Sequence, residues 1–210
     1  MKICAATGNA GKLRELRRIL EAQGHEVVSQ KELGITIEPE ETGTTFAENA
    51  LIKAETICKA CGLPTIADDS GLCVEALGGA PGVYSARYCG RHGDDEANSD
   101  KLLDAMQAVP AGQRGAKFVS AVCFILPDGR HLICMGECPG SIAFERLCGD
   151  YGFGYDPLFI PTDCGVGKHD KRPNTEGRSY AQLTPDEKDA ISHRGNALAE
   201  LEKELPDFLK

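Results

Sequence analysis

The chain has 210 residues, 41% hydrophobic and 26% charged, with 23 Lys and Arg against 32 Asp and Glu for a formal net charge of -9. That length and composition fit one folded domain and exclude a disordered chain. The acidic balance disfavours a polynucleotide partner, whose backbone is held by clustered Lys and Arg, but it admits a small polyphosphate gathered by local cations and a metal. No apolar run approaches the roughly 20 residues of a membrane span, so no membrane partner is expected. Met1–Gly8 turns polar too soon for a secretory hydrophobic stretch, so the expected address is the cytoplasm. The ten cysteines are scattered through strand-like and helix-like runs and read as small buried residues rather than a disulfide framework. Cys58 with Cys61, and more loosely Cys134 with Cys138, have metal-like spacing, but the first pair closes a helical pattern instead of two tight turns.

In chain order, Lys2 to Ala6 is a short apolar strand that ends at Thr7-Gly8-Asn9-Ala10-Gly11-Lys12. Leu13, Leu16 and Leu20 then recur at helical spacing up to Gly24. His25 to Ser29 reads as a second strand and Glu38 to Gly43 as polar loop. Thr45 to Glu48 has capping-box spacing before a helix that stops at Gly62. The strand Thr65-Ile66-Ala67 runs into Asp68-Asp69-Ser70-Gly71, Gly78 to Gly82 is loop, and Asp95 to Ala108 has helical leucine spacing. Val119–Leu126 and Arg130–Met135 flank Pro127-Asp128-Gly129, a hairpin signal. Ile142–Glu145 and Leu158–Ile160 are short strand candidates, and Pro161 to Arg178 is patternless and expected to be a mobile loop. Thr184-Pro185-Asp186-Glu187 starts a helix that continues towards Leu205, with a break near Gly195. Alternating strands and helices with a central hairpin predict an α/β fold with a mixed sheet.

Four constellations carry chemistry. Thr7 to Lys12 joins strand to helix, where glycines let the backbone approach a ligand, free helix N–H groups attract phosphate and Lys12 supplies a cation. The same residues also suit a bare strand-to-helix turn. Glu40 and Glu41 with Asp68 and Asp69, the latter pair set at the end of an apolar strand, repel one another unless a cation intervenes. All-oxygen ligation by few carboxylates suits Mg²⁺, and a solvated turn is the alternative. Ser70 adds a hydroxyl and Gly71 a flexible backbone N–H at the same point. Phe153-Gly154-Tyr155-Asp156, after Gly152, alternates rings with residues that allow a tight backbone, suited to stacking on a flat base or to a core turn. Ser192-His193-Arg194-Gly195 gathers donors on a helical segment that otherwise reads as surface.

Taken together, Thr7-Gly8-Asn9-x-x-Lys12, Glu41-Thr42-Gly43, Phe46-x-Glu48-Asn49-Ala50, Lys53-Ala54, Ala67 to Leu72, Gly78 to Gly82, Tyr84 to Arg87, Gly152 to Pro157 and Ser192 to Gly195 resemble, across nearly the whole chain, the inosine triphosphate pyrophosphatase family of house-cleaning enzymes. The resemblance implies an elongated mixed β-sheet flanked by helices. It also implies a single domain over 1–210 with two lobes around a central nucleotide-binding cleft, assembled as a homodimer. It implies Mg²⁺-dependent hydrolysis of ITP, dITP and XTP to the monophosphate and pyrophosphate. Thr7, Gly8, Asn9, Ala10, Gly11 and Lys12 would hold the triphosphate with Lys53. Glu41, Asp69 and Asp68 would place the metal, and Asp69 would also activate the attacking water. Ser70, Phe153, Gly154, Tyr155, Asp156, His193 and Arg194 would complete the substrate site, His193 and Arg194 as donors to the 6-oxo edge of the purine.

The family's lysine after the aromatic loop appears here as Gly177-Arg178-Ser179, preceded by extra residues. Arg178 takes that place or Lys168 or Lys171 does, and Arg is no neutral substitute for Lys at a close contact. The alternatives to the expected activity are a pyrophosphatase for an oxidised or methylated nucleotide, and a nucleotide sensor that does not turn over.

Overall fold

The first apolar run forms β1 (Lys2–Ala5), and α1 (Ala10–Ala22) starts where Asn9 accepts the Lys12 backbone N–H at 3.0 Å through its side-chain oxygen. The structure is a computed structural model and describes residues 1–166 and 170–210. After β2 (Glu26–Ser29), α2 (Phe46–Cys61) opens on the expected capping box, Thr45 with Glu48, and closes on Gly62 in the left-handed conformation. Next come β3 (Thr65–Val74), α3 (Asp95–Ala105), β4 (Gly115–Ile125), β5 (His131–Ile142) and β6 (Phe159–Pro161). The chain then forms β7 (Asp163–Gly165), β8 (Lys171–Pro173), α4 (Pro185–Asp189) and α5 (His193–Phe208).

Six strands form one mixed sheet in the order β2-β1-β3-β4-β5-β6. β1 runs parallel to β2 and to β3, and β6 runs antiparallel to β5. The Asp128-Gly129 hairpin joins β4 to β5, closed by the Leu126 N–H on the Arg130 carbonyl at 2.9 Å. The α/β class with a mixed sheet is thus the observed one. No described helix is long and apolar enough to cross a membrane.

Four local readings change. β3 does not stop at Ala67 but continues to Val74, so Asp68 and Asp69 lie inside a ten-residue strand rather than after its end. The carboxylates are tolerated there because lysines meet them. The strand candidate at Ile142–Glu145 is only the end of β5, which already includes Ile142. Within the segment expected to be a loop, β7 and β8 pair antiparallel from Asp163↔Pro173 to Gly165↔Lys171. The last helical region breaks at residues 190–192, ahead of Gly195, which falls in the first turn of α5.

The chain divides into two compact units. The first comprises Met1–Asp69, Ser120–Gly136 and Ala197–Lys210; the second comprises Ser70–Val119 and Glu137–Asn196. Within the first unit one core gathers Ile3, Leu16, Leu20, Ile66, Phe124 and Leu201, and another gathers Cys4, Ala50, Ala54, Ile57 and Cys123. The helical periodicity of α1 and α5 is explained by this burial, which contributes roughly 1.5–3 kcal/mol for each large aliphatic side chain. The second unit packs Leu72, Leu102, Met106, Phe118, Phe159 and Tyr180 into a core of its own. All ten cysteines carry free thiols, and no described group of three or more His, Cys, Asp or Glu side chains converges as a metal cage.

Candidate active site

In the first unit, the strand-to-helix turn presents Thr7 to Lys12 as read from the sequence. The Asn9 N–H is held by Thr7 Oγ1 at 3.1 Å, Gly8 and Ala10 are exposed, and Gly11 is buried under the first turn of α1. This leaves backbone N–H groups and the Lys12 side chain at one helix start, an arrangement that attracts phosphate oxygens.

Behind that turn stand two lysine–carboxylate sets. Lys12 Nζ lies 2.8 Å from Asp68 Oδ2. Lys53, carried by α2, donates to Glu41 Oε1 at 3.0 Å and to Asp69 Oδ1 at 2.8 Å. Burial alone would push the Lys53 ammonium towards losing its proton, but the Asp69 and Glu41 carboxylates outweigh it and raise its pKa. Burial raises the Asp69 carboxyl above the usual aspartate value although Lys53 and Lys12 pull the other way. A carboxylate whose basicity is raised is a better proton acceptor near neutral pH. Asp69 Oδ1 is held by Lys53, while its Oδ2 is buried with no hydrogen-bond partner. Such an orphan is rare in a native structure and marks a place where a ligand, ion or water belongs.

In the second unit, the aromatic loop is fixed by side chains the motif alone does not reveal. Asp156 Oδ2 accepts the Phe153 N–H at 2.9 Å and the Lys188 ammonium at 2.7 Å, both Asp156 and Lys188 being buried. Lys188 Nζ also sits 5.1 Å from the ring centres of Phe153 and Tyr180, within cation–π range. Gly154 donates its N–H to Asp95 Oδ2 at 3.0 Å, and the Tyr155 hydroxyl donates to the Ser85 carbonyl at 2.9 Å. Gly152 has φ +88, and a Cβ there would fall 2.5 Å from Asp156 Oδ2, so the loop can close on its carboxylate only through glycine.

Ser192 to Gly195 is not surface. Ser192 Oγ accepts the Gly195 N–H at 3.0 Å, and a Cβ on Gly195 would lie 2.0 Å from the Asp189 carbonyl, so α5 begins pressed against the end of α4. That docking buries His193 and Arg194. The His193 ring stacks on Phe118 with centroids 4.7 Å apart, and Arg194 Nη2 donates to Ser70 Oγ at 3.1 Å. Ser70 directly follows Asp69 in β3.

Arg178 is engaged by carboxylates. Its guanidinium forks onto Glu187 at 2.9 and 3.2 Å, with Glu176 on its Nε at 3.2 Å. Lys171 lies exposed on β8, 3.6 Å from Asp163, and Lys168 lies outside the described residues. Among the described residues, Lys188 is a cation packed against the aromatic loop. Sequence reading missed it because α4 has the charged, capped look of a solvent face. Its one available signal was a lysine five residues before His193.

The Arg178 hydrogen bonds, with the Thr184 backbone adding after the opposing effect of burial, hold the Glu187 carboxyl down from 4.5 to about 2. A folded-state pKa below the unfolded one stabilises above the unfolded value and is lost as pH falls through the window from about 4.5 to about 2. Glu187→Gln should therefore flatten the acid limb of a melting-temperature profile in that window. Parallel profiles for variant and wild type would remove this pair from the acid sensitivity of the fold.

The profile of the Ham1 family matches residues 3–204 of the chain. The dITP/XTP pyrophosphatase of Shigella flexneri is 48% identical over 200 residues, covering 94% of each chain. That of Haemophilus ducreyi is 49% identical over 208 residues, covering 97% of this chain and 98% of its own. Among solved structures, the Staphylococcus aureus Ham1 protein superposes with a TM-score of 0.79 at 38% identity, covering 99% of both chains. The nucleoside-triphosphatase / dITP/XTP pyrophosphatase of Mycobacterium abscessus does so with 0.70 at 48%, covering 96% of this chain and 98% of that one. With a family profile spanning all but its ends and near-full-length relatives at almost half identity, the chain belongs to the Ham1 family.

Proposed function

We propose that the chain hydrolyses non-standard purine nucleoside triphosphates, ITP, dITP and XTP, to the monophosphate and pyrophosphate, as a Mg²⁺-dependent homodimer in the cytoplasm. The observation that carries the reading is Asp69: buried, raised in basicity, held through one oxygen by Lys53 and left with the other oxygen open.

The residues fit the metal. The open Asp69 oxygen and the all-oxygen donor set of Glu41 and Asp69 suit Mg²⁺, which takes one or two carboxylates and completes its shell with water and substrate phosphate. Glu41 and Asp69 would hold it directly, and Asp68 would bear on it through Lys12. When bound, Mg²⁺ supplies positive charge to the phosphate oxygens. Asp69 accepts a proton from the attacking water as its oxygen bonds to the α-phosphorus. The bond from that phosphorus to the oxygen bridging to the β-phosphate breaks, and pyrophosphate leaves with the electron pair. Lys12 and Lys53 offset the charge that grows on the leaving group.

The purine is assigned to the second unit's residues. Phe153 supplies the ring to stack on, Lys188 and Asp156 keep its loop in shape, and His193 and Arg194 supply buried donors. A 6-oxo group accepts such donors, whereas the 6-amino group of adenine leaves them unsatisfied, a penalty able to discriminate by several powers of ten. Pyrophosphate release from ITP, XTP, dITP, ATP and GTP, with Mg²⁺ and with chelator, tests the reading. Fast metal-dependent release from the first three is expected. Equal turnover of ATP would overturn the base assignment, and no release from any would leave a sensor. A size-exclusion mass of one chain would remove the dimer.

A further inference from the structure

Ser120 belongs to none of the motifs, yet it touches the phosphate machinery. It sits in β4 within a run buried from Phe118 to Ile125, where a hydroxyl has no water to bond. Its Oγ donates to Asp68 Oδ1. The other oxygen of the same carboxylate faces Lys12 Nζ at 2.8 Å, and the Asp68 side chain has no exposure at all. The three groups thus form a line from β4 through β3 to α1.

We infer that Ser120 is a positioning residue for Lys12: its hydroxyl fixes the rotation of the Asp68 carboxylate, and Asp68 in turn pins the lysine ammonium at the start of α1. What Lys12 then holds rests on the function proposed above. A lysine is a point charge on a flexible four-carbon stem, so its use in phosphate binding depends on how much of that freedom is removed beforehand. Without the Ser120 hydroxyl, Asp68 Oδ1 is buried with that donor gone, and the carboxylate is free to turn away from Lys12.

The first test needs no nucleotide. Reductive methylation of the free protein, read peptide by peptide by mass spectrometry, should modify Lys12 about fivefold faster in Ser120→Ala and at the wild-type rate in Ser120→Thr, which keeps the hydroxyl. In the second, inorganic tripolyphosphate is titrated in chelator. Affinity should fall about tenfold in Ser120→Ala, or about 1.4 kcal/mol, with no further fall when the substitution is added to Lys12→Ala. Circular dichroism confirms folding. Should Ser120→Ala not fold, Ser120→Cys, of similar volume and weaker as a donor, must move both readings in the same direction by a smaller factor. An unchanged Lys12 rate in a folded variant, or an equal loss of affinity in the Lys12→Ala background, overturns the assignment. If the wild type releases pyrophosphate from no nucleotide, the proposed function fails while the labelling rates still decide the role of Ser120.

Discussion

Asp69→Asn is expected to lower kcat for ITP by about a thousandfold, the middle of the range for loss of a general base, while leaving nucleotide binding, measured in chelator, within a few-fold of wild type. The substitution conserves shape. The amide oxygen can still accept from Lys53, as Asp69 Oδ1 does at 2.8 Å. It cannot accept the proton of the attacking water, and where Oδ2 now stands without a partner it places an amide that donates rather than accepts. Because burial already disfavours the ionised carboxylate, the neutral variant should melt no lower than wild type. Lost activity with retained stability and retained ITP binding by calorimetry in chelator would place the defect in the metal-dependent chemical step rather than in the nucleotide contacts. Activity within tenfold of wild type would show that another group takes the proton.

How far the sequence could be read depended on whether a residue's role was local. Capping at Thr45 and Thr184, the Asp128-Gly129 hairpin and the turn at Thr7–Lys12 are set by neighbours a few positions away, and each appears where the spacing put it. The acidic pair is legible as a carboxylate cluster, but the sequence puts it at a strand end rather than inside β3. Charge inside an apolar run reads as punctuation, and it is the lysines arriving from α1 and α2, with the Ser120 hydroxyl from β4, that make Asp68 and Asp69 tolerable within β3. Lys188 and Ser120 were invisible for opposite reasons. One looks like a solvated helix charge but packs against Asp156, and the other looks like a small core residue but hydrogen-bonds a carboxylate from the next strand. Arg178 is legible only as a motif position, and its planar fork on two atoms of the Glu187 carboxylate is not. In each of these cases the deciding contact joins residues far apart in the chain or on separate elements, which periodicity and spacing do not encode.

Asp156→Ala should destabilise the protein by about 3–5 kcal/mol, the magnitude for removing one member of a buried ion pair. For a chain of this size that is a fall in melting temperature of roughly 6–20 °C. Asp156 and Lys188 are 3% and 4% exposed, and their contact at 2.7 Å is backed by the Phe153 N–H on the same carboxylate oxygen. Alanine removes both, so the ammonium loses its counter-charge and the aromatic loop loses the acceptor around which Gly152 and Phe153 turn. The double variant Asp156→Leu with Lys188→Met separates these effects. Apolar side chains of similar volume avoid the desolvation of two charges and often match a buried pair in stability, so melting should recover most of its loss. Turnover of ITP should not recover, since the loop would still lack its hydrogen-bond acceptor. Asp156→Ala melting at the wild-type temperature would mean that the ammonium finds water or another acceptor and that this pair does not hold the loop. A double variant that regained full activity would remove Lys188 and Asp156 from the shaping of the purine site.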